Sequence, residues 1–171
     1  AVGLFGVLLG WAATAGRADE PMPLIGYTEG RNDLPDGQFA NWVTHRACVV
    51  RADGTGRRVL AEDLVRTENS WTQFAGWSPD GTTAVVLRGW ESVENAQWEE
   101  QHKTFRFTPE GWLVDSFLVD VESGKAENVT AVERVSFYNT GLFFWPKDQT
   151  KLGFTALVGG TSHPFPMVRA C

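Results

Sequence analysis

Phe74-Ala75-Gly76-Trp77-Ser78-Pro79-Asp80-Gly81-Thr82-Thr83-Ala84-Val85-Val86-Leu87-Arg88 is the stretch that decides how this chain folds. Two short apolar runs flank Ser78-Pro79-Asp80-Gly81. Proline presets the backbone angle of a turn's second position, and glycine takes the left-handed position that closes it. The runs are too short for helices and carry the β-branched and aromatic residues that favour strands. The spacing predicts a strand over 74–77, a tight turn, and a return strand over 82–88.

Working outward, the same grammar recurs. Leu24-Ile25-Gly26-Tyr27-Thr28 reads as a strand. Runs 46–51 and 57–61 flank the turn Ala52-Asp53-Gly54-Thr55-Gly56 and predict a hairpin. A further hairpin is expected from 112–121, the turn Glu122-Ser123-Gly124-Lys125 and the return 126–130. The last is expected from 141–145, the turn Pro146-Lys147-Asp148-Gln149 and 151–157. The expectation is an all-β, antiparallel chain. Two kinds of hairpin alternate: Trp77 and Trp145 share one offset with Asp80 and Asp148, and Gly54 and Gly124 lie nearly the same distance apart. Allowing for one insertion, the repeat is near the roughly 40–45 residues of a four-stranded propeller blade.

Gly76-Trp77-Ser78-Pro79-Asp80-Gly81-Thr82 resembles the Trp-Ser-Pro-Asp-Gly signature of the WD40-like repeats in TolB-type β-propellers. Val119-Asp120-Val121-Glu122-Ser123-Gly124 and Val50-Arg51-Ala52-Asp53-Gly54-Thr55-Gly56 resemble the outer hairpin of such blades. Gly141–Leu157 departs from the signature at its turn. The resemblance implies antiparallel β-propeller blades in a ring of about six or seven. On that resemblance about two and a half four-stranded blades are expected: a blade at 24–61, a blade at 74–130, and a half blade at 141–167, within a partial propeller domain over 19–171. The incomplete ring is the expectation of a partial reading frame.

Residues 91–103 break the pattern, with no Gly or Pro and many Glu and Gln. They predict a short amphipathic helix inserted between strands, and such insertions are often functional surface elements. At the front, Val2–Ala15 is apolar or small apart from Thr14, and gives way to small residues and Asp19-Glu20. That is the form of a signal-peptide segment over 1–18, too short to span a bilayer, which needs about 20 apolar residues. The expected location is periplasmic or secreted, with no stable membrane span once the segment is removed. Export permits disulfides, but Cys48 in Ala47-Cys48-Val49-Val50 reads as a small buried strand residue, and Cys171 is the last residue, so no bridge between them is expected.

Acidic residues outnumber basic ones, 21 to 15, for a net charge of -6, and no basic run longer than Arg57-Arg58 occurs, which argues against a nucleic-acid partner. Gly76-Trp77-Ser78-Pro79-Asp80 lacks the final glycine of a nucleophile elbow, so Ser78 reads as a turn serine. His45, His102 and His163 lie on separate blades without metal-ligand spacing. Glu99-Glu100, Asp115 and Asp120 are the carboxylates considered for acid–base work; the first two read as a solvated face and Asp120 as a turn residue. No nucleotide-binding loop is present. No catalytic residue, metal ligand or cofactor is assigned. Trp71, Trp90, Trp98 and Trp112 flank or lie in the insertion. They are the candidate binding residues, as exposed stacking or anchoring groups, against the alternative that they pack the insertion onto its blade. The reading is a non-catalytic scaffold for a protein or peptide partner. The alternatives are the propeller part of a peptidase or carbohydrate-active hydrolase, or a fragment that self-associates through uncovered blade faces.

Overall fold

The computed structural model of the chain describes residues 22–35, 41–65, 69–108, 110–130, 142–145, 148–156 and 167–170. The segment 1–18 expected to be a signal peptide, His163 and Cys171 lie outside the described residues. The elements run β1 (Leu24–Glu29), β2 (Arg46–Arg51), β3 (Arg58–Val59), a 3-10 turn (Glu62–Val65), β4 (Ser70–Trp77), β5 (Thr83–Glu91), α1 (Val93–His102), β6 (Trp112–Asp120), β7 (Ala126–Asn128), β8 (Leu142–Trp145), β9 (Asp148–Ala156) and β10 (Met167–Ala170). They form three sheets, β1-β2-β3, β4-β5-β6-β7 and β10-β9-β8. Every pairing among the described residues is antiparallel. The described residues therefore form antiparallel β-sheets with a helix, α1, inserted between β5 and β6. No helix among the described residues is long and apolar enough to cross a membrane.

Three turns share one piece of local chemistry. At the first, the Asp53 carboxylate accepts from the Thr55 amide at 2.9 Å and the Thr55 hydroxyl at 2.7 Å. At the second, Asp80 accepts from the Thr82 amide at 3.0 Å, the Thr82 hydroxyl at 2.9 Å and the Ser78 hydroxyl at 2.6 Å. At the third, Asp120 accepts from the Ser123 amide at 2.7 Å and hydroxyl at 2.6 Å. An aspartate that hydrogen-bonds its own backbone a few residues on fixes a turn without long-range help. Gly54, Gly81 and Gly124 complete the three turns with φ of 84°, 73° and 74°, a region where a side chain costs about 1–2 kcal/mol.

The core lies between the first two sheets: Ala47, Val49, Leu60, Ala84, Val86, Phe117, Val119 and Val121, with Leu24, Leu64, Phe74 and Trp77 packed against it. Alternation along β5 and β6 aims these residues at one another. The outer edge of β4 is covered by the first sheet. The Thr72 amide donates to the His45 carbonyl at 3.1 Å, the Ala47 amide to the Thr72 hydroxyl at 3.0 Å, and the Phe74 amide to the Thr28 hydroxyl at 3.0 Å. Gly26 allows the close approach of β1, because a Cβ there would overlap the Phe74 ring.

The strands outrun their expected limits in two places. β4 starts at Ser70 rather than Phe74, and β5 continues to Glu91 rather than Arg88. Ser70, Thr72 and Gln73 are polar and give no strand signal, yet they pair with Trp90, Arg88 and Leu87, and Thr72 finds partners on the first sheet. Beyond the expected half blade, β10 adds a third strand against β9, with Met167 opposite Ala156 and Ala170 opposite Gly153. A four-residue strand carries too little periodicity to be read locally; only its pairing defines it. Cys48 is fully buried, 3.8 Å from the Arg57 guanidinium and 3.9 Å from the Glu29 carboxylate. Burial pushes its thiol above the ordinary value, so it is a poor nucleophile.

Candidate functional site

The insertion supplies the site. Ser92 caps α1 from an extended backbone, its hydroxyl accepting from the Asn95 amide at 3.2 Å, and Lys103 ends the helix in the left-handed region with φ 50°. Asn95, Trp98, Glu99 and His102 fall on one helical stripe; Val93, Ala96, Gln97 and Glu100 fall on another. The first stripe docks α1 and the second lines a groove.

Docking rests on Asn95, which has no solvent exposure. Its amide nitrogen donates to Glu91 at 2.6 Å, to the Arg106 carbonyl at 3.0 Å and to Glu99 at 3.2 Å. Its carbonyl accepts from the Arg106 guanidinium at 2.7 Å. Glu99 also accepts from the Arg106 amide at 2.6 Å. Three acceptors thus share the two hydrogens of one amide. Gly111 makes room for this hub, since a Cβ there would collide with the Asn95 amide. Burial pushes the Glu91 carboxyl above its ordinary value; the Asn95 hydrogen bond opposes that, the Glu99 charge adds to it, and the Arg106 charge opposes it.

Beside the hub lies an aromatic cluster. Trp71 and Trp112 stand 5.7 Å apart, and Trp42 lies 6.0 Å from Trp71 and 5.6 Å from Trp112. Phe105 and Phe107 flank Trp112 at 5.6 and 5.8 Å. The Trp112 indole donates to the Arg106 carbonyl at 2.9 Å, which joins cluster and hub. Gly89 is the cross-strand gap that admits Trp71, because a Cβ there would overlap its indole.

The four candidate tryptophans therefore separate. Trp71 and Trp112 come together in the interior, at 2% and 0% exposure, and pack the insertion onto its sheet. They are not exposed anchoring groups, because the paired ends of β5 and β6 enclose them. Trp90 and Trp98 are half-buried and lie under guanidinium groups, Arg88 at 4.7 Å and Arg106 at 4.6 Å. Trp98 also stacks on His102 at 4.0 Å.

Comparison with protein-family models, with curated proteins and with solved structures finds no match. The site must be read from its own chemistry.

A groove of about 560 Å³ runs between α1 and the turn that enters β4. Asn69, Glu91, Val93, Ala96, Gln97 and Glu100 line it. Val93 is 67% exposed, an apolar side chain held out to solvent. Glu100 is exposed and ion-paired with Lys103. Apolar, amide and carboxylate groups thus line the groove together, and one carboxylate, Glu91, is partly desolvated. Such a surface can hold a polar, positively charged ligand.

Other sequence candidates fall elsewhere. The Ser78 hydroxyl donates to Asp80 and accepts from the Thr83 amide at 2.9 Å, so it is engaged within its turn. Asp115 accepts from the Thr130 hydroxyl at 3.0 Å. His45 precedes β2 and His102 ends α1. Among the described residues no three of His, Cys, Asp and Glu lie close enough to hold a metal ion. Trp42, Asn69, Asn95, Phe105 and Arg106 carry no local signal. Only the polar 91–103 stretch, out of place in a strand-rich chain, marks their neighbourhood.

Proposed function

We propose that the chain is part of an exported, TolB-like β-propeller that serves as a non-catalytic scaffold and binds a protein or peptide partner at its α1 insertion. The groove between α1 and the entry to β4 carries this reading, because it is an open, mixed polar and apolar surface on an element fixed firmly to a rigid sheet. Rigid mounting suits a binding surface, since little freedom remains to be lost on association. Three features support the propeller reading: the four-stranded meander β4-β5-β6-β7, the neighbouring sheet packed along β4, and the shared aspartate turns. Engagement of Ser78 within its turn favours a scaffold over a serine hydrolase.

Selection from a random linear peptide library on the intact chain tests the reading. The expected result is enrichment of peptides whose binding is lost in Gln97→Trp, which fills the groove from an exposed position. No enrichment, or enrichment indifferent to Gln97→Trp, would contradict it.

A further inference from the structure

The structure assigns a ligand class to the groove, building on the peptide-binding reading: we propose that it accepts a lysine or arginine side chain of an extended partner segment, with Glu91 as the inner counter-charge and Glu100 as the outer one.

Glu91, the last residue of β5, belongs to both hub and groove: its Oε1 accepts from Asn95, and the residue lines the groove. Asn95 is its hydrogen-bond donor in the hub, and Asn95 divides two hydrogens among Glu91, Glu99 and the Arg106 carbonyl. A carboxylate so placed is partly desolvated and short of donors. An incoming cation supplies both a charge and fresh N–H groups. Arg106 offsets part of the Glu91 charge without bonding to that carboxylate, since its Nε donates to the Asn95 carbonyl and its guanidinium lies over Trp98. Glu100, one helical turn beyond Ala96, holds Lys103 in the free chain, and an exposed pair of that kind exchanges readily for another cation. The aliphatic stem of a lysine or arginine matches the apolar Val93 and Ala96 that line the groove. Asn69, Gln97 and their amides suit the backbone of an extended peptide. The acidic balance of the whole chain, -6, favours a basic partner and steers its approach.

The test uses the intact chain and fluorescence anisotropy with a labelled hexapeptide in which alanine alternates with lysine or arginine. The controls are the same peptide with glutamate at the charged positions, and spermidine as an unlabelled competitor. The basic peptide is expected to bind, and the acidic one not. Glu91→Gln should weaken binding by about tenfold or more, as expected for loss of a partly desolvated charge partner. Glu100→Gln, at an exposed position that cannot upset folding, should weaken it by about twofold. Melting temperatures separate folding from binding: Glu91→Gln removes a partly desolvated charge and should melt no lower than the wild type at neutral pH. Equal binding of the basic peptide by wild type and Glu91→Gln would overturn the proposal. So would equal binding of the acidic peptide, or full displacement by spermidine at the peptide's own concentration. If the library selection yields groove-dependent peptides without basic residues, this inference fails while the peptide-binding reading stands. If neither peptide binds and the library yields nothing, both fall.

Discussion

The sheet β4-β7 and the insertion α1 are held by different kinds of interaction, although β5 and β6 run directly into both. The sheet is apolar inside and is punctuated by turns that each close within a few residues, as Asp80 does with Thr82. The stripe that docks the insertion is mostly polar, Asn95, Glu99 and His102 beside Trp98. The insertion is docked by a buried amide, two glutamates and an arginine, and by Trp112, whose ring lies in the interior and whose N–H reaches the Arg106 carbonyl. The difference teaches where specificity resides. Apolar packing tolerates many shapes, whereas a buried polar hub is stable in only one arrangement, so α1 is held at a defined angle to its sheet.

Breaking the shared element should have the largest effect. Trp112→Ala removes the ring on which both regions rest and should cost about 3–5 kcal/mol in a denaturant melt, lowering the stability of sheet and insertion together. Asn95→Ala should cost less, about 1–3 kcal/mol for leaving buried polar partners unsatisfied. It should also be selective: limited proteolysis is expected to cut within 93–103 while the sheet's hydrogen-exchange protection persists. Equal loss of protection in β4–β6 would show that the two regions are not separable in this way. Gly81→Ala should cost about 1–2 kcal/mol through its left-handed backbone and leave α1 untouched.

The smallest effects are in pH dependence, and they have opposite signs in the two regions. Asp53, Asp80 and Asp120 are held below their ordinary values, by the Thr55 amide, the Ser78 hydroxyl and the Ser123 hydroxyl respectively. Their contribution is present above the unfolded carboxylate pKa and is lost as pH falls through the lowered folded values. Glu91 is raised, so folding favours its protonated form. Its contribution is full below the unfolded pKa and is lost as pH rises through the raised one. Melting temperature against pH should therefore flatten on the acid side in Asp80→Asn, and should rise at neutral pH but not in acid in Glu91→Gln. The same sign for both variants would contradict the assignment.

The same contrast explains what the sequence showed. The aspartate turns were legible because donor and acceptor lie two or three residues apart, as in Asp53 with Thr55. The short apolar runs were legible because alternation is a local property. The position of helix α1 was legible within two residues at its start. Its docking was not, because Asn95 meets Arg106 and Trp42 meets Trp112 through contacts that no period connects. Trp71 and Trp112 were visible as candidates, yet exposure cannot be read from residue type; the lengths of β4, β5 and β6 decide it. The groove was hidden for the same reason, since Asn69 and α1 become neighbours only when β4 and β5 pair as far as Ser70 and Trp90.

The most direct test of the account is hydrogen–deuterium exchange with mass spectrometry on the intact chain, with and without the basic hexapeptide. The account predicts added protection in peptides covering 69–71 and 91–101, and none in the turns at 52–56 or 121–125. Protection confined to those turns, or no change anywhere at saturating peptide, would contradict the claim that the α1 groove is the binding surface.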